Sequence, residues 1–147
     1  MESSLEQLDQ TKCFDGYFRQ YQTVSTHCGG LKIKFGLYLP KGYEEGSNFR
    51  VLYYLAGLTC TEQQFMIKAT IGFKYASDHG FVLVFPDTSP RGAGVEGEKD
   101  FWDFGEAASF YIDSKTEKFK THYNMESFIT KELIPLVNAN FKVDPEK

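Results

Sequence analysis

The chain has 147 residues, of which 41% are hydrophobic and 24% charged, and this balance excludes a disordered chain and fits one globular domain or a piece of a larger one. With a formal net charge of −4 and its Lys and Arg residues scattered among Asp and Glu, it lacks the basic stripe that a nucleic-acid partner requires. No apolar run approaches the roughly 20 residues of a membrane span, and the polar start lacks the pattern of a signal peptide, so no membrane partner and a cytoplasmic location are expected.

The first part of the chain predicts an antiparallel hairpin. Residues 1–12 are polar and are expected to form a loose N-terminal arm. Polar and apolar residues roughly alternate over 17–24 and 31–39, which is typical of strands with one wetter face. Turn residues at 27–30 join the two strands, and Pro40 is expected to end the second one.

The stretch Val51–Thr61 is the centre of the predicted fold. Its β-branched and aromatic start, residues 51–55, predicts a strand that is buried on both faces and stops at Gly57. Thr61 is expected to be the N-cap of the helix that follows. A junction of strand, glycine turn and helix start aims backbone N–H groups outward, and such groups bind anions.

The next elements complete a βαβ unit. Residues 62–79 have helical spacing of apolar residues, interrupted at 70–72 and closed by Gly80, which tolerates a left-handed C-terminal turn. The apolar run 81–85 predicts a second buried strand. Two buried strands separated by a helix indicate a parallel pair and therefore an α/β fold class.

The last third combines a long loop with a helix. Residues 88–114 are rich in turn residues and aromatics, and loops of this length are usually functional. A final helix is predicted over 125–141, with Asn124 as its cap and a kink at Pro135.

Two local patterns fail as cofactor or metal sites. Residues 92–97 match G-x-G-x-x-G, but prolines separate them from the preceding strand and no helical period follows, so dinucleotide binding is disfavoured and no cofactor is expected. His27, His79 and His122 have no partner at the i+4 spacing, and the three cysteines lack C-x-x-C spacing. No metal site is therefore expected, and the histidines are interpreted as structural.

A nucleophile is equally hard to find. No G-x-S-x-G occurs in the chain, and Ser89, the best-placed serine, is interpreted as a structural hydroxyl before a proline. Cys60, near a predicted helix start, is either a reactive thiol or a pocket-lining one. We favour the pocket-lining role, because the sequence places no histidine beside it to act as a base.

Six motifs occur along the chain between about Cys13 and its end: GLTCTE (57–62), PDTSPRG (86–92), WDFG (102–105), FY (110–111), NANF (138–141) and VDP (143–145). Together they resemble the S-formylglutathione hydrolase family, also called esterase D. The resemblance implies an α/β-hydrolase fold and a cytoplasmic, commonly homodimeric serine esterase without a cofactor. Its partners would be small molecules, namely S-formylglutathione and simple esters. The resemblance implies that S-formylglutathione is hydrolysed to glutathione and formate in formaldehyde detoxification.

The same resemblance assigns residues to a site. It maps one oxyanion-hole donor onto the backbone N–H of Leu58, and the substrate pocket onto Gly57, Thr59, Cys60 and Trp102. In the family the strand with the G-x-S-x-G elbow follows V-D-P, and the triad Asp and His come later. Residues 13–147 are therefore expected to be the N-terminal half of a single α/β-hydrolase domain, a hairpin followed by βαβ that ends before the elbow strand. Such a chain lacks the Ser-Asp-His triad and is expected to be inactive alone.

An alternative stays open, in which the chain is a non-catalytic binding or dimerisation module derived from an α/β-hydrolase. The sequence also departs from the family, which usually has G-x-G-A-G-F-Y where residues 105–111 read GEAASFY. The segment 68–75 is one residue longer than usual. Both departures bear on the shape of the pocket and on substrate preference.

Overall fold

The computed structural model describes residues 5–147. One mixed sheet of five strands lies at its centre, and short helices cover both faces of the sheet. In chain order the elements are β1 (Glu6–Cys13), β2 (Gly16–Ser25), β3 (Leu31–Leu39), β4 (Arg50–Tyr53), α1 (Gln64–Lys68), α2 (Ile71–His79), β5 (Phe81–Pro86), α3 (Met125–Ser127), a π-helical segment (Phe128–Leu133) and α4 (Ile134–Asn140).

The order of strands in the sheet is β1-β2-β3-β5-β4. Strands β2 and β3 pair antiparallel from Tyr17↔Leu39 to Ser25↔Leu31, so the predicted hairpin is confirmed, and β3 ends directly before Pro40. Strand β4 pairs parallel with β5, and α1 and α2 form the crossover between them. The predicted βαβ unit and the α/β class are therefore confirmed.

The predicted loose arm is wrong over the residues of β1. This strand pairs antiparallel with β2, from Glu6↔Gln22 to Cys13↔Gly16. Polar side chains join the two strands: Tyr21 donates to Gln7 at 3.2 Å and Arg19 Nε donates to Gln10 at 2.7 Å. An exposed strand at the edge of a sheet needs no apolar face, so its sequence carries no alternation to detect. Residues 1–4 of the predicted arm lie outside the described residues.

Strand β4 is shorter and more exposed than predicted. It covers Arg50–Tyr53 rather than residues 51–55, and Leu52 and Leu55 remain 55% and 45% exposed. The reason is its place at the sheet edge. On its open side, within residues 5–147, the backbone pairs only at Phe49, which forms a parallel bridge with Val143. Burial on both faces was therefore a wrong prediction for this strand.

Each face of the sheet has its own core. On one face Tyr38 stacks on Phe73 of α2, with ring centroids 4.5 Å apart and an interplanar angle of 3°. The opposite face packs against the C-terminal helical elements. Fully buried side chains there are Phe35, Leu37, Val82, Val84, Met125, Phe128, Leu133 and Val137.

The crossover helices follow the sequence pattern with two differences. The break falls at Ala69–Thr70, and Gly80 closes α2 in the left-handed conformation, as predicted. Thr61 is not the N-cap, because α1 begins only at Gln64, although its hydroxyl accepts the Gln63 N–H at 3.3 Å. Ile67, one of two alternative apolar positions with Ala69 in the helical spacing, is 66% exposed. A five-residue helix turns too few side chains toward the sheet to bury its whole apolar set.

The C-terminal helix is continuous from Met125 to Asn140 but contains the π-helical segment Phe128–Leu133. Pro135 explains this feature, because it offers no N–H to the carbonyl four residues earlier and the preceding turn widens. Asn124 occupies the N-cap position without a capping bond. Its amide nitrogen donates instead to the Lys120 and His27 carbonyls, at 2.6 and 2.8 Å. None of the helices within residues 5–147 has the length and apolar character of a membrane span.

Candidate functional site

Two loops meet at the carboxyl ends of the parallel strands β4 and β5. One loop runs over residues 54–63 and the other begins at Asp87 and extends to residue 114. Carboxyl ends of parallel strands are the usual place for ligand sites in open α/β sheets. The residues of these two loops form the candidate site.

The turn after β4 leaves several backbone donors, including the Gly57 and Leu58 N–H groups, without a hydrogen-bond partner among residues 5–147. Thr59 lies in the left-handed region, with φ = 67°, and its N–H donates to the Ala107 carbonyl at 3.0 Å. The Cys60 N–H donates to Gly57 O at 3.1 Å. Directly before these two donors in the chain, the Leu58 N–H has no hydrogen-bond partner among residues 5–147. It is therefore available to an external acceptor.

The conformation of Thr59 is costly. A left-handed backbone costs an L-residue about 1–2 kcal/mol, and a β-branched side chain makes it worse. Such strain persists only where surrounding contacts hold it, and it is found preferentially at functional sites. Here the bond to Ala107 is the contact that holds it.

A small cavity of about 180 Å³ lies next to Leu58. It is lined by Ala56, Gly57, Leu58, Thr88 and residues 107–111, and none of these side chains is charged. Gly57 and Leu58 thus line the cavity, whereas Thr59, Cys60 and Trp102 do not. Trp102 is 71% exposed on the long loop. The roles that the resemblance gives these five residues stay predictions.

The ion pair between Asp87 and Arg91 holds the backbone of the turn at Cys60. Arg91 binds the buried Asp87 carboxylate through two nitrogens, Nε at 2.7 Å and Nη2 at 2.9 Å. The same Nη2 donates to the Cys60 carbonyl at 3.1 Å, and the Thr88 hydroxyl donates to that carbonyl as well. The bond to Asp87 raises the pKa of the Arg91 guanidinium above its usual value. The backbone at Cys60 is therefore fixed by two side chains from the loop after β5.

Sequence reasoning missed this role of Asp87 and Arg91. Both residues belong to the PDTSPRG motif, but there they served only as a sign of resemblance. An acidic residue directly after a buried strand, followed by arginine across a proline turn, was the available signal.

The long loop is folded back onto the site by hydroxyl groups. Ser109 Oγ donates to Thr88 O at 2.5 Å, and Ser89 Oγ accepts the Ala107 N–H at 2.7 Å. Tyr111 Oη donates to Ala56 O at 2.8 Å, and burial raises the pKa of this phenol well above its usual value of 10.0. Ser89 is 1% exposed, so its interpretation as a structural hydroxyl is confirmed.

The glycine-rich segment lacks the structural context of a dinucleotide-binding loop. Its glycines adopt positive φ, but neither a strand nor a helix adjoins residues 92–97. Carboxylates already accept two of its N–H groups: Glu106 Oε2 accepts from Gly92 at 3.1 Å and Glu98 Oε1 accepts from Gly94 at 3.0 Å. A phosphate would meet negative charge here, which agrees with the rejection of a dinucleotide fingerprint.

The histidines lie away from the Leu58 cavity. His27 Nδ1 is 2.9 Å from Glu132 Oε1 at the β2–β3 turn, and His122 Nδ1 is 3.3 Å from the Cys28 carbonyl. His79 closes α2. Across residues 5–147, no group of three His, Cys, Asp or Glu side chains is arranged to hold a metal ion.

The comparisons with known proteins agree with this arrangement. Residues 25–147 match the family model named Esterase. The chain belongs to this esterase family. Among curated relatives, the S-formylglutathione hydrolase of Bos taurus is 48% identical over 98% of this chain, and that of Arabidopsis thaliana is 43% identical over 96%. The esterase chain spans about half the length of these relatives, 50% and 49%, and corresponds to the N-terminal half.

A solved structure supports the fold of the esterase chain. The S-formylglutathione hydrolase from Agrobacterium tumefaciens superposes with a TM-score of 0.87 at 34% identity, covering 95% of this chain and 49% of that one. A ferulic acid esterase from Anaeromyces mucronatus has a TM-score of 0.57 at 18% identity and shares the fold alone. The α/β-hydrolase assignment is thereby confirmed.

Proposed function

We propose that this chain supplies the N-terminal half of the active site of a thioester hydrolase of the S-formylglutathione hydrolase type. The observation that carries the proposal is the Leu58 N–H, which has no partner among residues 5–147 and which the Thr59–Ala107 hydrogen bond holds beside a small uncharged cavity. The substrate is S-formylglutathione, with simple esters as secondary substrates. The complete enzyme acts as a cytoplasmic homodimer in formaldehyde detoxification.

In this function Leu58 acts on the oxygen of the scissile carbonyl. When a nucleophile attacks a thioester, the carbonyl oxygen becomes a tetrahedral oxyanion that backbone N–H groups stabilise. One such donor contributes about 3 kcal/mol of transition-state stabilisation. In α/β-hydrolases the second donor is the residue after the nucleophile, and this chain contains no G-x-S-x-G elbow. The cavity of about 180 Å³ suits a small acyl group such as formyl.

The chain alone is therefore inactive as a triad hydrolase. Ser89 is buried and its hydroxyl both donates to Pro90 O and accepts from Ala107 N, so it is not free to attack a carbonyl. None of the three histidines lines the Leu58 cavity. The purified chain should give no turnover of S-formylglutathione or p-nitrophenyl acetate above buffer. Turnover close to that of the bovine relative would contradict this.

Complementation tests the donor itself. The chain is mixed with the separately produced C-terminal half of the bovine relative, and the bovine N-terminal half serves as the positive control. Leu58→Pro removes the N–H, whereas Leu58→Ala keeps it. Hydrolysis should return with the native chain and with Leu58→Ala, and fall about 100-fold or more with Leu58→Pro. Equal activity of the two variants, or reconstitution by the bovine half only, would overturn the proposal.

The open edge of β4 favours one second candidate, a dimerisation module. Phe49 N–H and C=O pair with Lys142 and Asp144 on that side, and strand alternation aims the backbone groups of Val51 and Tyr53 the same way. An unpaired edge with exposed Leu52 is a template for another strand. A stable dimer in sedimentation together with failed complementation would favour this function over the first.

A further inference from the structure

A second cavity, here named the Lys34 cleft, lies beside the candidate site. Its volume is about 380 Å³, and three segments form it: residues 32–34 of β3, residues 61–63 after the Leu58 turn, and Asp87, Ser89 and Arg91 after β5. Two of these segments belong to the same loops that build the Leu58 cavity. The cleft therefore lies at the same end of the sheet as the Leu58 cavity, near the carboxyl ends of β4 and β5.

The charges of the cleft leave one cation without an acidic partner. Arg91 is satisfied by Asp87, and Lys32 has an exposed pair with Glu6 at 3.4 Å. Lys34 is exposed, and no carboxylate among residues 5–147 lies within ion-pair distance of its ammonium group. The ammonium group is thus available for an anionic ligand.

Glu62 also lines the cleft, but within residues 5–147 it forms no ion pair with Lys34 at contact distance. Glu62 is 5% exposed, and its Oε1 accepts a hydrogen bond from Gln20 at 2.8 Å. Burial raises the pKa of Glu62 above its usual value of 4.5 and the Asp87 carboxylate adds to the rise, while the Lys34 ammonium and the Gln20 hydrogen bond oppose it. The Gln63 side chain makes no hydrogen bond within residues 5–147, so its amide is a second free group at the cleft.

The Leu58 cavity cannot serve the charged parts of the proposed substrate. The thiol half of a glutathione thioester carries free carboxylates, whereas the cavity beside Leu58 is small and lined by uncharged side chains. Leaving a carboxylate without a partner in such surroundings would be costly. A cleft at the same end of the sheet that offers a cation and a hydrogen-bond donor would give such a carboxylate its partners.

We propose that the Lys34 cleft binds a free carboxylate of the glutathionyl half of the substrate, with the Lys34 ammonium as the principal partner and the Gln63 amide as a donor. This inference rests on the proposed function and adds a specificity site to it. Lys34 is a binding residue for the thiol half and takes no part in attack on the carbonyl.

Binding of a substrate analogue that cannot be hydrolysed tests the cleft separately from catalysis. S-methylglutathione is titrated into the isotope-labelled native chain, and amide shifts are followed by NMR. The largest shifts are expected at residues 32–34 and 61–63. Lys34→Gln should weaken binding about tenfold, because it removes one charge-assisted contact. Lys12→Gln is the matched control, since Lys12 is exposed on β1 and makes no ion pair within residues 5–147.

An esterified ligand completes the design. The diethyl ester of S-methylglutathione should bind the native chain about tenfold more weakly than S-methylglutathione does. The Lys34→Gln variant should bind the ester and the unesterified analogue with equal affinity. Equal affinity of the two lysine variants, shifts confined to other surfaces, or no shift at 10 mM analogue, roughly the weakest affinity of interest, would overturn the inference. None of these readouts needs turnover, so a failed complementation with retained binding would overturn the proposed function and leave the cleft standing.

Discussion

The Thr59 N–H donates to the Ala107 carbonyl at 3.0 Å, and both residues lie in the left-handed region with φ = 67°. This bond joins the turn after β4 to the long loop after β5. It fixes the residue directly after Leu58, so the direction of the free Leu58 N–H depends on a contact across about 50 positions of sequence.

Ala107 stands where the resembled family usually has glycine, and its φ of 67° is costly for any residue with a Cβ. We expect Ala107→Gly to raise the free energy of unfolding by about 0.5–1 kcal/mol, since relief of strain exceeds the entropy added to the unfolded chain. Urea denaturation measures the change. Ala108→Gly, at a buried position without positive φ, should lower stability instead. Destabilisation by both variants would show that Ala107 is unstrained.

The Asp87–Arg91 pair makes a second prediction. Asp87 is 3% exposed, so Arg91→Met leaves a buried carboxylate without its partner and should cost about 2 kcal/mol of stability. Arg91→Lys keeps the charge but loses the bidentate geometry, so its stability should lie between those of the native chain and of Arg91→Met. Lys41→Met is the control, since Lys41 and Asp15 form a pair at 4.0 Å with both side chains more than two thirds exposed. Equal stability of the Arg91 and Lys41 variants would contradict the anchoring role.

Glu132 predicts a dependence of stability on pH. Burial raises its pKa, but hydrogen bonds from Ser25, Thr26 and His27 outweigh burial, so the net pKa lies below the usual 4.5. A carboxyl with a lowered pKa in the folded state stabilises above its unfolded pKa and loses that contribution as pH falls. The loss of stability from pH 7 to pH 4 should therefore be larger in the native chain than in Glu132→Gln. Glu45→Gln, at an exposed loop position, should show the native pH dependence.

The edge of β4 predicts association. We expect the chain to form dimers or larger species at micromolar concentration in sedimentation velocity, because Leu52 is 55% exposed beside backbone groups that have no strand partner among residues 5–147. Leu52→Lys should shift the population toward monomer. Ile67→Lys, which adds the same charge at a 66% exposed position on α1, should leave association unchanged. A native chain that stays monomeric would contradict the prediction.

Local patterns predicted most of the fold. The hairpin, the βαβ unit, the break before α2 and its closing glycine all depend on neighbours in sequence, where alternation, helical spacing and turn chemistry act. Strand β1 was missed because an exposed edge strand stabilised by polar pairs has no apolar period. The exposure of β4 was missed because an apolar run shows a preference for burial and does not show whether another strand is present to cover it.

For the candidate site, the sequence by itself determined the family and the turn that carries Leu58. Only the tertiary structure decided that the Leu58 N–H has no partner among residues 5–147, that Arg91 and Thr88 hold the Cys60 carbonyl, and that Lys34 lines a cleft with the loops after β4 and β5. These relationships join residues that are far apart in sequence. Their geometry depends on the order of strands in the sheet and on the folding of the long loop, which no local pattern encodes.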